Sequence, residues 1–172
     1  MRRLLGLIVV LLAVGLPVPT SSALPESPQR PKAPRLVIDE IGVDAGMIAV
    51  GLTRNGALAV GGSVTNVYRW KQGVRPGALG SAVLAGHTWS KGDGVFDRLG
   101  ELRKGDEIRV GEHRFTVTRR QVVKKMKPKD VARLYSDRGP ARLVLITCGD
   151  RNNATGVYRT RIIVRAALQP KK

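Results

Sequence analysis

The apolar run Leu143-Val-Leu-Ile-Thr-Cys148 decides how the rest of this chain is read. Branched apolar side chains over this length make a buried strand, which delivers Thr147 and Cys148 to its end. Cys148 is the only cysteine among 172 residues, so no internal disulfide can account for it. Downstream, Arg161 opens a second apolar run, Arg161-Ile-Ile-Val164. Upstream, His87 closes a third, Ser81-Ala-Val-Leu-Ala-Gly-His87. A nucleophile, a proton carrier and a fixed cation therefore each stand where a strand meets a loop. Those are the ingredients of thiol acyl transfer.

Around these three runs the texture is that of a β protein. Leu36-Val-Ile38, Met47-Ile-Ala-Val50, Ala57-Leu-Ala-Val60, Ala82-Val-Leu-Ala85, Glu107-Ile-Arg-Val110, Phe115-Thr-Val117 and Val122-Val123 are short, and Gly, Asp and Asn turns separate them. Only Asp130 to Tyr135, after Pro128, and Val95 to Leu102 suggest helical turns. Many short strands with few helices predict a mainly β fold, a largely antiparallel sandwich or barrel. Glycines at 77, 80 and 86 allow tight turns about the strand that ends at His87.

The N-terminus differs in kind. Arg2 and Arg3 precede an almost wholly apolar stretch from Leu4 to Val18, and Ser21-Ser22-Ala23 offers small residues for cleavage. Residues 1–18 therefore read as a signal peptide or a retained membrane anchor, and both predict export of the remaining chain. Residues 19–34 are rich in Pro and Ser, which builds no core and predicts an extended linker. The folded domain is expected over residues 35–168, with a short tail at 169–172. Net charge is +17, of which residues 1–35 carry five basic and one acidic side chain, so +13 remains on the body. Such a surface suits anionic lipids or wall polymers, or is simply a solvated basic face. Aromatics at 4% are too few for nucleic-acid stacking platforms, and no nucleic-acid partner is expected.

Each residue taken singly has a plainer reading. Cys148 could be a small core residue, His87 a turn histidine and Arg161 a solvated strand residue. Their shared placement outweighs this, because an exported free thiol is a liability unless it is used. His113, in Gly111-Glu-His-Arg114, reads as surface. One cysteine and two scattered histidines lack metal-ligand spacing, so neither metal nor cofactor is expected.

With these motifs the chain resembles the sortases, the cysteine transpeptidases of Gram-positive surfaces, and within them the actinobacterial class F type. The resemblance rests on Ile41-Gly-Val-Asp44, Gly80-Ser-Ala-Val-Leu-Ala-Gly-His87, Val95 to Asp106, Leu145-Ile-Thr-Cys-Gly149 and Ala154-Thr-Gly-Val-Tyr158. The family often begins the cysteine strand with Thr, where this chain has Val144. The resemblance implies a closed β-barrel of about eight strands with one or two short helices. It makes Cys148 the nucleophile, His87 the acid/base and Arg161 the third member, with Thr147 meeting substrate. Strand alternation sets Arg159, Arg161 and Arg165 on one face, so Arg159 is the runner-up.

The resemblance further implies cleavage of a Leu-Pro-x-Thr-Gly-like sorting motif between Thr and Gly, leaving an acyl-enzyme at Cys148. An amine from a lipid-linked peptidoglycan precursor, or a pilin lysine, then resolves it at the outer face of the plasma membrane. Lys124 to Pro140 falls where the family keeps a substrate-lining loop, although Lys124, Lys125, Lys127 and Lys129 suit a solvated surface. Two rival readings stand beside this one. An L,D-transpeptidase would set His and Cys close together in the sequence, unlike His87 and Cys148. A non-catalytic basic β-domain binding anionic wall polymer or membrane would use the charge and leave Cys148 as packing.

Overall fold

Strand β7 (Arg142–Arg151) is the long strand predicted from the apolar run, and its two faces differ. Leu143, Leu145 and Thr147 point into the interior, where each is almost wholly shielded from solvent. Val144 and Ile146 belong to a second apolar cluster on the outer face. A slip of one residue would exchange these faces and bury Cys148, so the core fixes the orientation of the thiol.

The computed structural model describes residues 34–170 except 55, 56, 90, 91, 93, 125 and 153. The leader or anchor expected at 1–18, all of the expected linker but Pro34, and the last two residues of the expected tail lie outside the described residues. The remaining elements are β1 (Arg35–Ile38), β2 (Val43–Val50), β3 (Val67–Trp70), β4 (Ser81–Gly86), β5 (Glu107–Val110), β6 (His113–Val123), α1 (Pro128–Leu134) and β8 (Tyr158–Leu168). Short 3-10 turns occupy Asp39–Ile41 and Leu99–Glu101.

The strands close a barrel in the order β1-β2-β3-β4-β7-β8-β6-β5, with β5 returning to β1. This is the mainly β, closed eight-strand fold that the resemblance implied. Most neighbours are antiparallel, but β2 with β3 and β4 with β7 are parallel. Leu36, Ile38, Leu84, Ile108, Phe115, Leu143, Leu145 and Val164 fill the interior at zero exposure. Each such side chain stabilises by about 1.5–3 kcal/mol relative to an exposed one.

Three strand expectations change. Val67 to Trp70 forms β3, which the sequence pattern did not suggest. Ala57 to Val60 makes no strand, only an isolated bridge between Leu58 and Leu52, because no neighbouring strand pairs with it. Phe115–Val117 and Val122–Val123 are two parts of β6, joined across an irregularity between Val117 and Arg119. Helix α1 has no side-chain cap at Lys127. It is held instead by Leu134, which packs on Val83, Val144 and Ile163 of the barrel's outer face. No helix among the described residues is long and apolar enough to cross a membrane.

Candidate active site

Parallel pairing of β4 and β7 assembles the site. Ala85 lies opposite Ile146, so the next two positions bring Gly86 beside Thr147 and His87 beside Cys148. The Thr147 hydroxyl donates to the Gly86 carbonyl at 2.8 Å, continuing the ladder with a side chain where β4 ends. Parallel neighbours run about 4.8 Å apart, so the backbones carrying sulfur and imidazole are adjacent. Alternation along β4 places Ala82 and Leu84 in the interior and Val83 on the outer face. Continued, it sets His87 on the face that carries Cys148. Cys148 itself is half-buried, beyond the end of the outer cluster that seals Val144.

His87 is restrained on several sides. Its carbonyl accepts from the Phe96 amide at 3.0 Å. Its Nε2 lies 2.7 Å from the Gly61 carbonyl, and the Tyr68 ring meets the imidazole edge-on at 5.9 Å between centroids. Paired with that carbonyl acceptor, Nε2 carries the proton and Nδ1 is the open lone pair. The loop after His87 is fastened by Asp97, whose carboxylate accepts from the Thr88 hydroxyl at 2.8 Å and from the Trp89 and Gly94 amides at 2.7 and 2.9 Å. Tyr158 adds a hydroxyl donated to the Thr88 carbonyl at 3.2 Å. Gly86 has to be glycine, because a Cβ there would run into the Phe96 ring.

Strand β8 supplies the cations, and register separates them. Arg161 lies directly opposite Cys148 in the antiparallel β7–β8 pair. Opposed residues share a face with Cβ atoms about 4.5–5.5 Å apart. The Arg161 guanidinium donates to the Thr160 carbonyl at 2.9 Å and has no ion pair among the described residues. Arg159 instead binds Asp150 at 2.7 Å, and that hydrogen bond and charge hold its pKa above the ordinary arginine value. Arg165 is engaged by Gln121, and burial, followed by the charges of Arg119 and Arg142, lowers its pKa. Of the three same-face arginines, Arg161 is the one level with the sulfur.

Two features beside Cys148 bear strain or imbalance. Asp150 holds a left-handed backbone at φ 51°, a conformation that non-glycine residues adopt at a cost. The Thr160 hydroxyl, opposite Gly149, is buried with no hydrogen-bond partner among the described residues. Thr147, expected to meet substrate, has a buried side chain whose hydroxyl is already committed to Gly86. Asp97, Tyr158, Gly61 and Tyr68 were not assigned roles from sequence. Asp97 and Tyr158 fall inside quoted motifs, but nothing in their spacing says which backbone groups they hold.

Residues 36–169 match the family described as Sortase domain. The chain belongs to the sortase family. Its barrel is similar to that of sortase C-1 from Actinomyces oris, at 27% identity and a TM-score of 0.60 over 80% of this chain and 73% of that one. It is similar also to Listeria monocytogenes sortase A, at 18% identity and a TM-score of 0.62 over 80% and 87%. A Clostridium perfringens sortase D5 transpeptidase aligns at 23% identity and a TM-score of 0.59 over 80% and 79%. Among curated proteins, no significant match to the sequence is found. Sortases are cysteine transpeptidases, and this sortase has a single cysteine, three residues before the end of β7.

Proposed function

We propose that this sortase cleaves a Leu-Pro-x-Thr-Gly-like sorting motif between Thr and Gly, with Cys148 as nucleophile. The observation that carries this is the cross-strand pair Cys148–Arg161, with His87 brought level by the Thr147–Gly86 bond. The Cys148 thiol passes its proton to the open Nδ1 of His87, and the sulfur attacks the Thr carbonyl carbon as a thiolate beside the Arg161 cation. The carbonyl π electrons move onto oxygen, where Arg161 donates hydrogen bonds to the oxyanion. Collapse of that intermediate breaks the C–N bond, and His87 gives its proton to the departing glycine amine. The thioester left on Cys148 is then attacked by an acceptor amine, whose proton passes to His87; the C–S bond breaks as the new amide forms, and the released sulfur takes that proton back.

The acceptor fits the amine of a lipid-linked peptidoglycan precursor or a pilin lysine. Residues 35–168 form the catalytic domain on this reading, and residues 1–18 hold it at the outer face of the membrane or direct its export. The motifs Ile41–Asp44 and Val95–Asp106 support the actinobacterial class F assignment. Arg161 is preferred over Arg159 because Asp150 already neutralises Arg159. Thr147 contributes by fixing the register of the cysteine strand, its own side chain being buried.

A quenched Leu-Pro-x-Thr-Gly peptide tests the proposal. Cys148→Ala should abolish both cleavage and the acyl adduct that mass spectrometry detects on the parent enzyme. Cleavage by the alanine variant at the parental rate would refute the assignment.

A further inference from the structure

The barrel end away from Cys148 gathers a second set of functional groups. Val123, the last residue of β6, pairs with Arg161, which itself pairs with Cys148. His113 begins the same strand, so at about 3.3 Å per residue it lies roughly 30 Å of strand away. There a cavity of about 480 Å³ is walled by Pro34, Met47, Arg69, Arg75, Glu112 and His113, among others. The His113 ring sits where a side chain on Gly77 would otherwise stand, and Gly77 has a left-handed φ of 90°. Glycine at that turn makes room for the imidazole in the wall.

The charges in this cavity do not balance. Neither Arg69 nor Arg75 forms an ion pair among the described residues, although nearby Arg109 and Arg114 are paired with Asp39 and Glu107. Arg69 donates to the Trp70 carbonyl at 2.7 Å, which anchors the guanidinium without neutralising it. Burial, and then the like charge of Arg75, lower the pKa of Arg69. Glu112 is the one carboxylate in the wall, and it bridges to neither arginine. Arg69 is partly buried and Arg75 exposed in the same wall; their like charges repel each other, and an anion between them relieves that repulsion.

We propose that this cavity binds a phosphate group between Arg69, Arg75 and His113. The three donors come from β3, from the loop before β4 and from the start of β6. They line one cavity from three elements, and guanidinium forks match phosphate edges. Pro34 in the wall is where the chain enters from its N-terminal segment. A phosphodiester of a lipid headgroup and a free phosphate monoester can both supply this chemistry. Phosphate binding here does not depend on the peptide-cleaving reading of the opposite end.

Isothermal titration of the full chain in neutral detergent tests it, with inorganic phosphate in one arm. The other arm uses dihexanoyl phosphatidylglycerol below its micelle concentration. Saturable binding is expected in at least one arm, phosphate alone pointing to the free monoester and the lipid alone to the headgroup. Arg75→Gln and Arg69→Gln should each weaken it by about tenfold, the scale of one charge-assisted contact. Arg103→Gln, an equal loss of charge elsewhere, should leave it unchanged. Arg75 is exposed and lies in a loop, so its replacement leaves the core intact. No saturable binding in either arm, or parental affinity in both glutamine variants, would overturn the proposal.

Discussion

Replacing Thr147 by valine isolates the contact that joins the cysteine strand to the histidine strand. Valine keeps the size and branching of threonine, so interior packing is preserved while the hydroxyl bonded to Gly86 at 2.8 Å is lost. Thr147 is 3% exposed, so water does not readily replace that donor at the Gly86 carbonyl. Leaving a buried acceptor unpaired costs about 1–3 kcal/mol. With unfolding entropy of about 2.1 cal/mol/K per residue, a domain of about 135 residues loses roughly 3–4 °C per kcal/mol. The melting temperature should therefore fall by roughly 4–10 °C. Calorimetry of the parent, Thr147→Val and Thr147→Ser reads this directly, and serine should recover most of the loss.

The same substitution should act on turnover beyond its effect on stability. Below its melting transition, Thr147→Val should show kcat for a sorting-motif peptide reduced by about tenfold or more, because misplacement by about 1 Å is worth as much as 100-fold. KM should change little, since the side chain is not exposed to a substrate. If the valine variant melts within about 1 °C of the parent and turns over normally, the hydroxyl does not position His87 against Cys148.

Three further outcomes rest on the same geometry. Arg161→Ala should lower kcat by about 100- to 1000-fold, as for loss of an oxyanion donor. Arg159→Ala, which removes only an exposed pair with Asp150, should leave the melting temperature nearly unchanged and cost activity a few-fold; the reverse ranking would transfer the role. Gly86→Ala should destabilise by about 1–3 kcal/mol and depress activity, since the added carbon meets Phe96 and Val95; an unchanged melt would show that this turn yields. Thr160→Val removes a buried hydroxyl without a partner among the described residues and should stabilise by about 1 kcal/mol, read as a rise in melting temperature. A fall would mean that the hydroxyl is satisfied in solution.

Most of the barrel was legible because its strands alternate or run apolar in step with burial, as β7 and β4 do. β3 was not, since Val67-Tyr-Arg-Trp70 holds three side chains with polar groups and owes its strand form to neighbours on both sides. Ala57 to Val60 read as a strand for the opposite reason: its apolar pattern was suitable, but it lacks a ladder partner beyond one bridge. His87 could be picked out because β4 ends at Gly86, as the composition suggested; Cys148 was legible as the lone cysteine of an apolar run, although β7 continues past it to Arg151. Choosing among Arg159, Arg161 and Arg165 could not be done by period alone, since all three share a face; the register of β8 on β7 was needed. Asp97 stayed hidden because its partners are backbone amides of a loop.

The parallel seam between β4 and β7 also dictates when this chemistry can come into being. Its partners are separated by 61 positions, so they meet only after a large loop has closed, a step whose entropy is recovered late in folding. Until the barrel zips shut, the polypeptide carries a thiol with no acid beside it. Competence for acyl transfer thus arrives with the finished fold, and a nascent or unravelled copy carries only an ordinary thiol.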